Sequence, residues 1–344
     1  MEQRIKERYS QSILKEAMER YAIGDDQIRL LDGFESYMYE FRHDGAEYIL
    51  RIGHSLRRSV DLILGEVDWI NYLARGGASV SRAIESKDGN LVEQIDDNRG
   101  GRFLATAFVR AGGDPPGADQ WNSDLFVRHG QLIGRMHALS KGYQPPDPAW
   151  KRLEWDDQQM LFSELWLPQS EDLVLGKFRD VFSSLLALPR SGANYGLIHQ
   201  DAHGGNFFVD SSGQITLFDF DDCAYSWYAN DIAIVLFYAA FGEEDPPTFT
   251  RNFMKHFLQG YIRENDFDPR WLVQFPQFLK LREIDLFAVI HRSFDVEDIQ
   301  DRWVASFMKN RKEMILNDVP FIDLDFGELS EFVSEASISS EGDF

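Results

Sequence analysis

Residues 197–231 decide the fold of this chain and read LIHQDAHGGNFFVDSSGQITLFDFDDCAYSWYAND. Two short runs with the composition of strands lie within this stretch, at residues 206–209 and 214–218. The sequence Asp-Ser-Ser-Gly at residues 210–213 separates the two runs and is typical of a tight turn. We therefore predict a β-hairpin, which brings the residues before its first strand close to those after its second.

Polar side chains flank both ends of this predicted hairpin. Asp201 and Asn206 precede the first strand, and Asp219 follows the second. Phosphoryl transfer requires a carboxylate beside the attacking hydroxyl and further oxygen ligands for Mg²⁺ on the nucleotide phosphates. The spacing from His199 to Asn206 fits the kinase catalytic loop H-x-D-x-x-x-x-N, and Asp219 opens the counterpart of D-F-G. We therefore predict the site of a magnesium-dependent phosphotransferase.

The segments HQDAHGGNFFVD, ITLFDFDD and NDIA resemble the H-G-D-x-H-x-x-N, I-D-[FW]-[DE]-D and D-[LI]-A signature of the aminoglycoside phosphotransferases. The relatives of that family include choline kinase, type II homoserine kinase and the bacterial stress-response kinases. The resemblance implies an α+β, two-lobed, protein-kinase-like fold, with ATP and Mg²⁺ as cofactors. It departs from the family at Gln200, where Gly is usual.

The resemblance also implies a role for each matching residue. Asp201 would orient or deprotonate the acceptor hydroxyl, and Asn206 and Asp219 would bind Mg²⁺. His199 would brace the loop, and Asp231 would hold it by accepting hydrogen bonds from backbone N–H groups. The transfer of the γ-phosphate of ATP to a hydroxyl group of a small molecule is the activity that follows.

Each of three neighbouring side chains has two possible roles. Asp221 and Asp222 either assist the metal site or are structural residues. His203 either contacts the acceptor or packs against the loop, and we favour packing.

The first part of the chain reads as a small antiparallel sheet with one helix. Strand-like runs occur at residues 28–31, 37–42, 47–52, 90–95 and 102–109, and a helical pattern occurs at residues 62–75. Glycine and proline interrupt the chain at residues 111–117. We therefore divide the chain into a nucleotide-binding lobe at residues 1–110, a helical lobe at residues 111–327 and an acidic tail at residues 328–344.

A kinase needs a basic side chain on the third strand and a Glu on the following helix to steady the α- and β-phosphates. In YILRIGHS, Arg51 faces away from Leu50, and Glu66 lies on the next predicted helix. We predict that Arg51 and Glu66 pair in this way. The alternative is an ordinary surface ion pair, which contributes little to stability.

Two further segments are candidates for nucleotide contacts. The loop Gly33-Phe34-Glu35-Ser36 would cover the phosphates, with Ser36 either donating a hydrogen bond to a phosphate or completing a turn. Residues 103–109, with Ala107 as the candidate contact, lie where backbone groups of a kinase bind adenine.

The second part of the chain is mainly helical, and residues 271–307 are rich in aromatic side chains and acidic residues. We expect helices at residues 125–140, 160–165, 176–186, 232–241, 248–264, 272–292 and 298–316. A cationic amine or an aminoglycoside would suit the acidic residues as the acceptor. These are Glu283, Asp285, Asp295, Glu297 and Asp298.

Composition limits the partners and the compartment. The net charge of −22 disfavours nucleic acid and anionic membranes, and it suits either a cationic substrate or solubility alone. One cysteine, Cys223, fits a reducing compartment. The first residues read as a charged helix rather than a signal peptide, and no apolar run is long enough to span a bilayer. We expect a cytoplasmic monomer or homodimer that binds a nucleotide and a small-molecule hydroxyl acceptor.

Three other functions remain open at this level. His199, Asp201 and His203 alternate in a way that could hold a metal, as in a metal-dependent hydrolase. The acceptor could be a protein hydroxyl, as for a Ser/Thr kinase of the stress-response type. The chain could also bind a nucleotide without turnover, although such a scaffold would more often have lost Asp201, Asn206 or Asp219.

Overall fold

The computed structural model describes residues 2–31, 33 and 35–341, with the backbone alone for residues 337–341. The described chain forms two compact units. The first consists of Met1–Asp114, Gly142–Arg152 and Phe207–Asp221, and the second consists of Pro115–Lys141, Leu153–Asn206 and Asp222–Phe344. The first unit therefore includes two segments that follow residue 111 in the chain.

The first unit contains an antiparallel sheet, with two helices before its first strand and one after β3. Its helices are α1 (Gln3–Lys6), α2 (Gln11–Arg20) and α3 (Val60–Arg75). Its main strands are β1 (Ile28–Leu31), β2 (Tyr37–His43), β3 (Ala46–His54), β4 (Ala83–Ile84), β5 (Glu93–Asp96) and β6 (Arg102–Val109). The sheet order is β1-β2-β3-β6-β4, and β5 also pairs with β6.

The alternation of side-chain direction along β3 explains how this sheet forms its core. Leu50 and Ile52 are fully buried and pack with Phe103 of β6 and with the apolar face of α2, including Ala17 and Met18. Arg51, between the two apolar residues, faces the other side of the sheet, where α3 supplies Glu66. The alternation therefore sets both the core and the position of the basic side chain.

The predicted hairpin is present in the first unit. It consists of β8 (Phe207–Val209) and β9 (Ile215–Leu217), with Phe207 opposite Leu217 and Val209 opposite Ile215. The side chain of Asp210 accepts hydrogen bonds from the backbone N–H groups of Ser212 and Gln214, at 2.8 and 3.0 Å. This is the turn chemistry that the sequence indicated.

The second unit is mainly helical. Its helices are α4 (Ser123–Ser140), α5 (Phe162–Trp166), α6 (Asp172–Leu186), α7 (Tyr228–Ala240), α8 (Pro246–Tyr261), α9 (Phe275–Ser293), α10 (Arg302–Met308), α11 (Arg311–Leu316) and α12 (Ser330–Glu341). One antiparallel pair, β7 (Tyr195–Ile198) and β10 (Ala224–Trp227), lies among them. Helix α7 is buried on nearly all sides, which explains its almost continuous apolar sequence.

Two features of the second unit differ from the predictions. The single helix predicted at residues 298–316 is wrong, because the chain begins α10 at Arg302 and breaks before α11. Asn310 at this break has a φ of 56°, a left-handed conformation that an α-helix cannot continue through. The strand β10 was not predicted, since its four residues are followed at once by α7. The predicted acidic tail begins in a 3₁₀ turn and continues as α12, and residues 342–344 lie outside the described part.

Within the described residues, none of the helices combines the length and the apolar character that a membrane crossing requires.

Helices α4 and α8 approach each other through glycine. A Cβ atom on Gly130 of α4 would lie 1.9 Å from the carbonyl oxygen of Phe257. A Cβ atom on Gly260 of α8 would lie 1.9 Å from the carbonyl oxygen of Val127. Backbone oxygens cannot move aside as a flexible side chain can, so each contact requires the absence of a side chain.

We predict that Gly130→Ala destabilises the protein, because the new methyl group forces the two helices apart. The melting temperature should fall by about 5 °C or more, as expected for an overpacked helix contact. The matched control is Gly176→Ala on α6, where the added methyl group meets nothing within 4 Å. That control should raise the melting temperature slightly through helix propensity, and equal behaviour of the two variants would contradict the close contact.

Candidate active site

The loop at residues 199–206 lies in the second unit and is held by a buried carboxylate. Because α7 follows β10 directly and β10 pairs with β7, Asp231 in the first turn of α7 lies beside the start of the loop. Its Oδ2 accepts a hydrogen bond from the N–H of His199 at 3.1 Å, and its Oδ1 accepts one from the N–H of Gln200 at 2.9 Å. This is the arrangement that the resemblance implied for Asp231.

Two side chains of the loop fix the position of Asp201. His199 is fully buried, and its Nδ1 accepts a hydrogen bond from the N–H of Asp201 at 3.2 Å. The Nδ2 of Asn206 donates to the backbone oxygen of Asp201 at 2.9 Å and to its Oδ2 at 3.0 Å. The structure therefore brings Asp201 and Asn206 together.

Arg282 of α9 supplies a positive charge at Asp201. Its Nη2 donates hydrogen bonds to Oδ1 of Asp201 and to the hydroxyl of Tyr238, the latter at 2.6 Å. Burial by itself raises the pKa of Asp201, but Arg282 and then His203 hold that pKa below its ordinary value. Asp201 is therefore a carboxylate at neutral pH, the form that accepts a hydrogen bond from a hydroxyl group.

His203 packs and also contacts Asp201. Its ring centroid lies 4.4 Å from that of Tyr238, and its Nδ1 accepts a hydrogen bond from the N–H of Gly205 at 2.9 Å. Its Nε2 lies 3.4 Å from Oδ2 of Asp201. The packing that we favoured is present, and the contact with the carboxylate adds to it.

In the first unit, Arg51 and Glu66 form a two-pronged ion pair. Nη1 and Nη2 of Arg51 donate to Oε1 and Oε2 of Glu66 at 2.7 and 2.8 Å. Both residues are buried, with 7% of Arg51 and 0% of Glu66 exposed, so the surface ion pair considered from the sequence is wrong. A buried pair of this geometry orients the guanidinium far more strictly than a surface pair.

Asp219 lies close to this pair, at the end of the hairpin. Burial by itself lowers the pKa of Arg51, but Glu66, and after it Asp221 and Asp219, hold that pKa above its ordinary value. Asp219 has a φ of 64°, a left-handed conformation that is uncommon for a residue other than glycine and occurs often at functional sites. The first unit therefore brings the predicted phosphate-binding arginine and the predicted metal ligand into one neighbourhood.

Asp221 is engaged by arginine side chains. Its Oδ2 pairs with Nη1 of Arg57 and lies 3.6 Å from Nη2 of Arg58, and its backbone oxygen accepts from Arg152 at 2.6 Å. Burial alone raises the pKa of Asp221, yet Arg57 and Arg58 hold that pKa far below its ordinary value. These contacts favour a structural role for Asp221.

The remaining nucleotide candidates have different surroundings. Ser36 lies over β3, where a Cβ atom on Gly53 would be 3.4 Å from its Oγ. Phe34 of the same predicted loop lies outside the described residues. Ala107 is inside β6, opposite Leu50 and Ile84, so its backbone belongs to the sheet. The chain leaves the sheet only after Val109, the last residue of β6.

The acidic residues proposed for the acceptor separate into three groups. Glu283 is fully buried, and Arg311 donates to it at 2.6 Å, so its charge is neutralised in the core. Asp285 lies beside a pocket of the second unit and accepts a hydrogen bond from Ser163 at 2.9 Å. The others, Asp295, Glu297 and Asp298, are exposed.

Comparison with known proteins identifies the family. The model of the phosphotransferase enzyme family matches residues 26–271. The chain belongs to this family. It is a kinase that phosphorylates a hydroxyl group, and the α+β, protein-kinase-like fold and the resemblance to aminoglycoside phosphotransferases are confirmed.

Individual relatives of this phosphotransferase cover nearly the whole chain. An amicoumacin kinase of Bacillus subtilis (strain 168) is 39% identical over 325 residues, which are 93% of this chain and 96% of the relative. A solved amicoumacin kinase in complex with AMP-PNP, Ca²⁺ and Ami is 38% identical, with a TM-score of 0.90 over 96% of this chain and 100% of the other. A spectinomycin phosphotransferase in complex with ADP and spectinomycin shares the fold, with a TM-score of 0.57 at 16% identity over 95% of this chain and 99% of the other.

The hydrolase hypothesis is wrong for this phosphotransferase. His203 and Asp201 meet, but the third side chain that the hypothesis required does not join them, because His199 is fully buried and its Nδ1 accepts a hydrogen bond from the backbone N–H of Asp201. Among the described residues, no three side chains of His, Cys, Asp or Glu are grouped so as to hold a metal ion.

Three residues of the site were not predicted. Arg282 and Tyr238 lie on helices far along the chain from Asp201, and no local pattern marks them. Gln200 was noted as a departure from the family, and its φ of 74° now explains the usual glycine at this position. For these three residues, that departure was the signal that the sequence offered.

We predict that the contribution of Asp285 to the stability of this phosphotransferase falls as the pH rises from about 4 to about 7. Burial raises the pKa of this carboxyl to about 7, although Ser163 and Arg282 lower it in part. The folded state therefore keeps a proton that the unfolded chain releases near pH 4, and each pH unit between the two values costs folding free energy. Asp285→Asn should remove this loss.

Melting temperatures from pH 4 to pH 8 test this prediction. Asp285→Asn should match the wild type at the acidic end and exceed it by several degrees above pH 7. Asp180→Asn, the same change at an exposed position of α6, should show no such trend. If the difference in melting temperature between Asp285→Asn and the wild type did not vary with pH, Asp285 would be ionised in the folded protein.

Proposed function

We propose that this chain transfers the γ-phosphate of ATP, with Mg²⁺, to a hydroxyl group of amicoumacin or a closely related small molecule. The observation that carries the proposal is the 39% identity with an amicoumacin kinase over 93% of this chain. The acidic net charge of −22 also suits a small-molecule acceptor better than nucleic acid.

Asp201 would act on the acceptor. Its carboxylate is held by Asn206 and Arg282, so its orientation does not depend on the acceptor. A carboxylate with a lowered pKa is a weak base, and its main contribution would be to align the hydroxyl and to accept its proton late in the transfer. Positioning of this kind supplies much of the catalysis in phosphoryl transfer.

Asn206 and Asp219 would each offer an oxygen ligand to Mg²⁺. Nδ2 of Asn206 makes the hydrogen bonds to Asp201, which orients the amide so that Oδ1 is the atom for the metal. Carboxylate and amide oxygens are the donors that Mg²⁺ prefers. When bound, the ion would neutralise charge on the transferring phosphate.

The first unit would hold the nucleotide. Arg51 would contact the phosphates as an oriented cation, because Glu66 binds both of its terminal nitrogens. Ser36 would donate its hydroxyl to a phosphate, and the adenine would bind to backbone groups at the end of β6, just beyond Ala107.

An acceptor assay tests the proposed substrate directly. Purified protein with Mg·ATP should phosphorylate amicoumacin, with product detected by mass spectrometry, and should act much less on kanamycin and choline. A preference for either of these two over amicoumacin would contradict the proposal. EDTA should abolish transfer, and added Mg²⁺ should restore it.

Two variants separate the roles at the metal and at the acceptor. Asp201→Asn should reduce transfer about 10³-fold, because the carboxylate acts on the hydroxyl, yet keep the rise in melting temperature with Mg·ATP. Asp219→Asn should lose most of that rise, because it removes a ligand of the metal. Asp180→Asn serves as the control for the change of charge, and equal loss of nucleotide binding in both active-site variants would contradict the division.

A further inference from the structure

Arg57, in the turn after β3, contacts two segments of the first unit that lie far apart in the sequence. Its Nε lies 3.4 Å from Oε2 of Glu35, and its Nη1 pairs with Oδ2 of Asp221. Glu35 lies in the loop predicted to cover the phosphates, here called the phosphate loop. Asp221 follows the proposed metal ligand Asp219 by two residues, and these three residues are the metal segment. One guanidinium therefore links the phosphate loop to the metal segment.

The metal segment and Arg57 are both anchored to neighbouring elements. Nη2 of Arg152 donates to the backbone oxygen of Asp221 at 2.6 Å, and Nη1 of the same arginine donates to the carbonyl oxygen of Leu62 in α3 at 2.8 Å. The N–H of Arg57 donates to the carbonyl oxygen of His54, the last residue of β3, at 2.9 Å. Arg57 therefore has a fixed base, from which its side chain reaches the metal segment and the phosphate loop.

The charged groups of this link are partly shielded from water. The side chains of Arg57, Asp221 and Glu35 are 14%, 14% and 19% exposed. Salt screens a partly buried pair less than an exposed pair, and a guanidinium presents five N–H donors in a fixed planar arrangement. A single arginine can therefore hold two carboxylates in a defined relative position. Most surface ion pairs lack this constraint.

Phosphoryl transfer needs the two segments in one relative position. Ser36 of the phosphate loop would contact a phosphate, and Asp219 would bind Mg²⁺, which bridges phosphate oxygens. An error of about 1 Å in such an arrangement can slow a reaction about 100-fold. Arg57 contacts Glu35, the chain neighbour of Ser36, and it also contacts the metal segment. Its position therefore suits a residue that sets the distance between the phosphates and the metal ligand.

We propose that Arg57 is a positioning residue that couples the phosphate loop to the metal segment, so that the nucleotide and Mg²⁺ bind cooperatively. The proposal rests on the proposed function, since it requires Mg·ATP at this site. Such coupling is reciprocal, because each ligand orders one segment and through Arg57 favours the arrangement that the other ligand needs. Glu35 therefore affects metal binding, although it belongs to the phosphate loop.

A direct contact between Arg57 and the phosphates predicts the opposite effect of Glu35. In that case Glu35 would compete with the phosphates for the guanidinium, and its removal would strengthen nucleotide binding. If Arg57 couples the two segments, removal of Glu35 weakens the cooperation between the nucleotide and Mg²⁺. The sign of the effect of Glu35→Gln therefore separates the two roles.

Titration calorimetry with AMP-PNP, which needs no acceptor, measures this cooperation. The ratio of its affinity at saturating Mg²⁺ to its affinity in excess EDTA is the magnesium gain. The wild type should show a gain of at least about tenfold, within the usual range for coupled sites. Glu35→Gln should reduce the gain at least about fivefold and change the affinity in EDTA less than about threefold, because it leaves the metal segment in place.

Further variants identify Arg57 as the link. Arg57→Gln should reduce the magnesium gain as much as Glu35→Gln does, and the double variant should lose little more, because both changes break the same link. Arg57→Lys should recover part of the gain, since lysine keeps the charge but lacks the planar fork. The matched control is Arg29→Gln on β1, which breaks an ion pair with Glu40 and should keep the full gain.

Several results would overturn the proposal. They are a wild type without a magnesium gain, a full gain in Glu35→Gln, tighter AMP-PNP binding by Glu35→Gln, and additive losses in the double variant. A loss of affinity that is equal in EDTA and in Mg²⁺ would also overturn it, since that result indicates damage to the local fold. Glu35→Gln retains the pair between Arg57 and Asp221, so its comparison with the wild type stands even if Arg57→Gln fails to fold.

The acceptor assay distinguishes this proposal from the proposed substrate. If the wild type does not phosphorylate amicoumacin but shows the magnesium gain and its loss in Glu35→Gln, that acceptor is rejected and the coupling stands. If the wild type phosphorylates amicoumacin and Glu35→Gln keeps the full gain, the coupling is rejected and the proposed function stands.

Discussion

The carboxylate of Asp231 accepts hydrogen bonds from two successive N–H groups of the catalytic loop, at His199 and Gln200, and the geometry of the loop depends on these bonds. Its Oδ2 also lies 3.0 Å from Nε2 of His137, whose Nδ1 lies 2.9 Å from the hydroxyl of Tyr261. Burial alone raises the pKa of Asp231, but His137 and the backbone N–H groups hold that pKa below its ordinary value. A charged, fully buried side chain is stable here because every partner is a donor, and removing one would leave an uncompensated charge.

Charged side chains in the first unit are likewise held by close partners, here of opposite charge. Arg51 is buried against Glu66, and the half-buried Asp221 pairs with Arg57 and lies close to Arg58. Each ion is costly to bury by itself, and close partners offset that cost. Such pairs contribute more to specific geometry than to net stability, and geometry is what the binding of phosphates and a metal ion requires. In a chain with a net charge of −22, this local balance also makes an anionic ligand acceptable.

The polar groups around the pocket beside Asp201 have fewer partners than these buried charges. Asp285 is half-buried and accepts a hydrogen bond from Ser163, and Gln200 adopts a backbone conformation suited to glycine. Oδ1 of Asn230 and Nε1 of Trp155 have no hydrogen-bond partner among the described residues. Each of these features lowers the stability of the folded protein. Natural sequences tolerate such losses mainly where binding or catalysis requires them. The second unit therefore combines a rigidly braced loop with a neighbouring wall whose polar groups are incompletely paired.

The family, the hairpin and the positions of Asp201, Asn206 and Asp219 at its two ends could be predicted from the amino-acid sequence, because these features lie within one short stretch whose spacing is set by local turns. The sequence also indicated Arg51 and Glu66, since strand alternation and the next helix place them over only 15 residues of chain. Tertiary structure alone decided that Arg282 reaches Asp201 across 81 residues, that Asn310 breaks a helix, and that Gly142–Arg152 and the hairpin join the first unit. Contacts of this kind depend on how helices pack and on which distant segments of the chain pack together. Local periodicity in the sequence predicts neither.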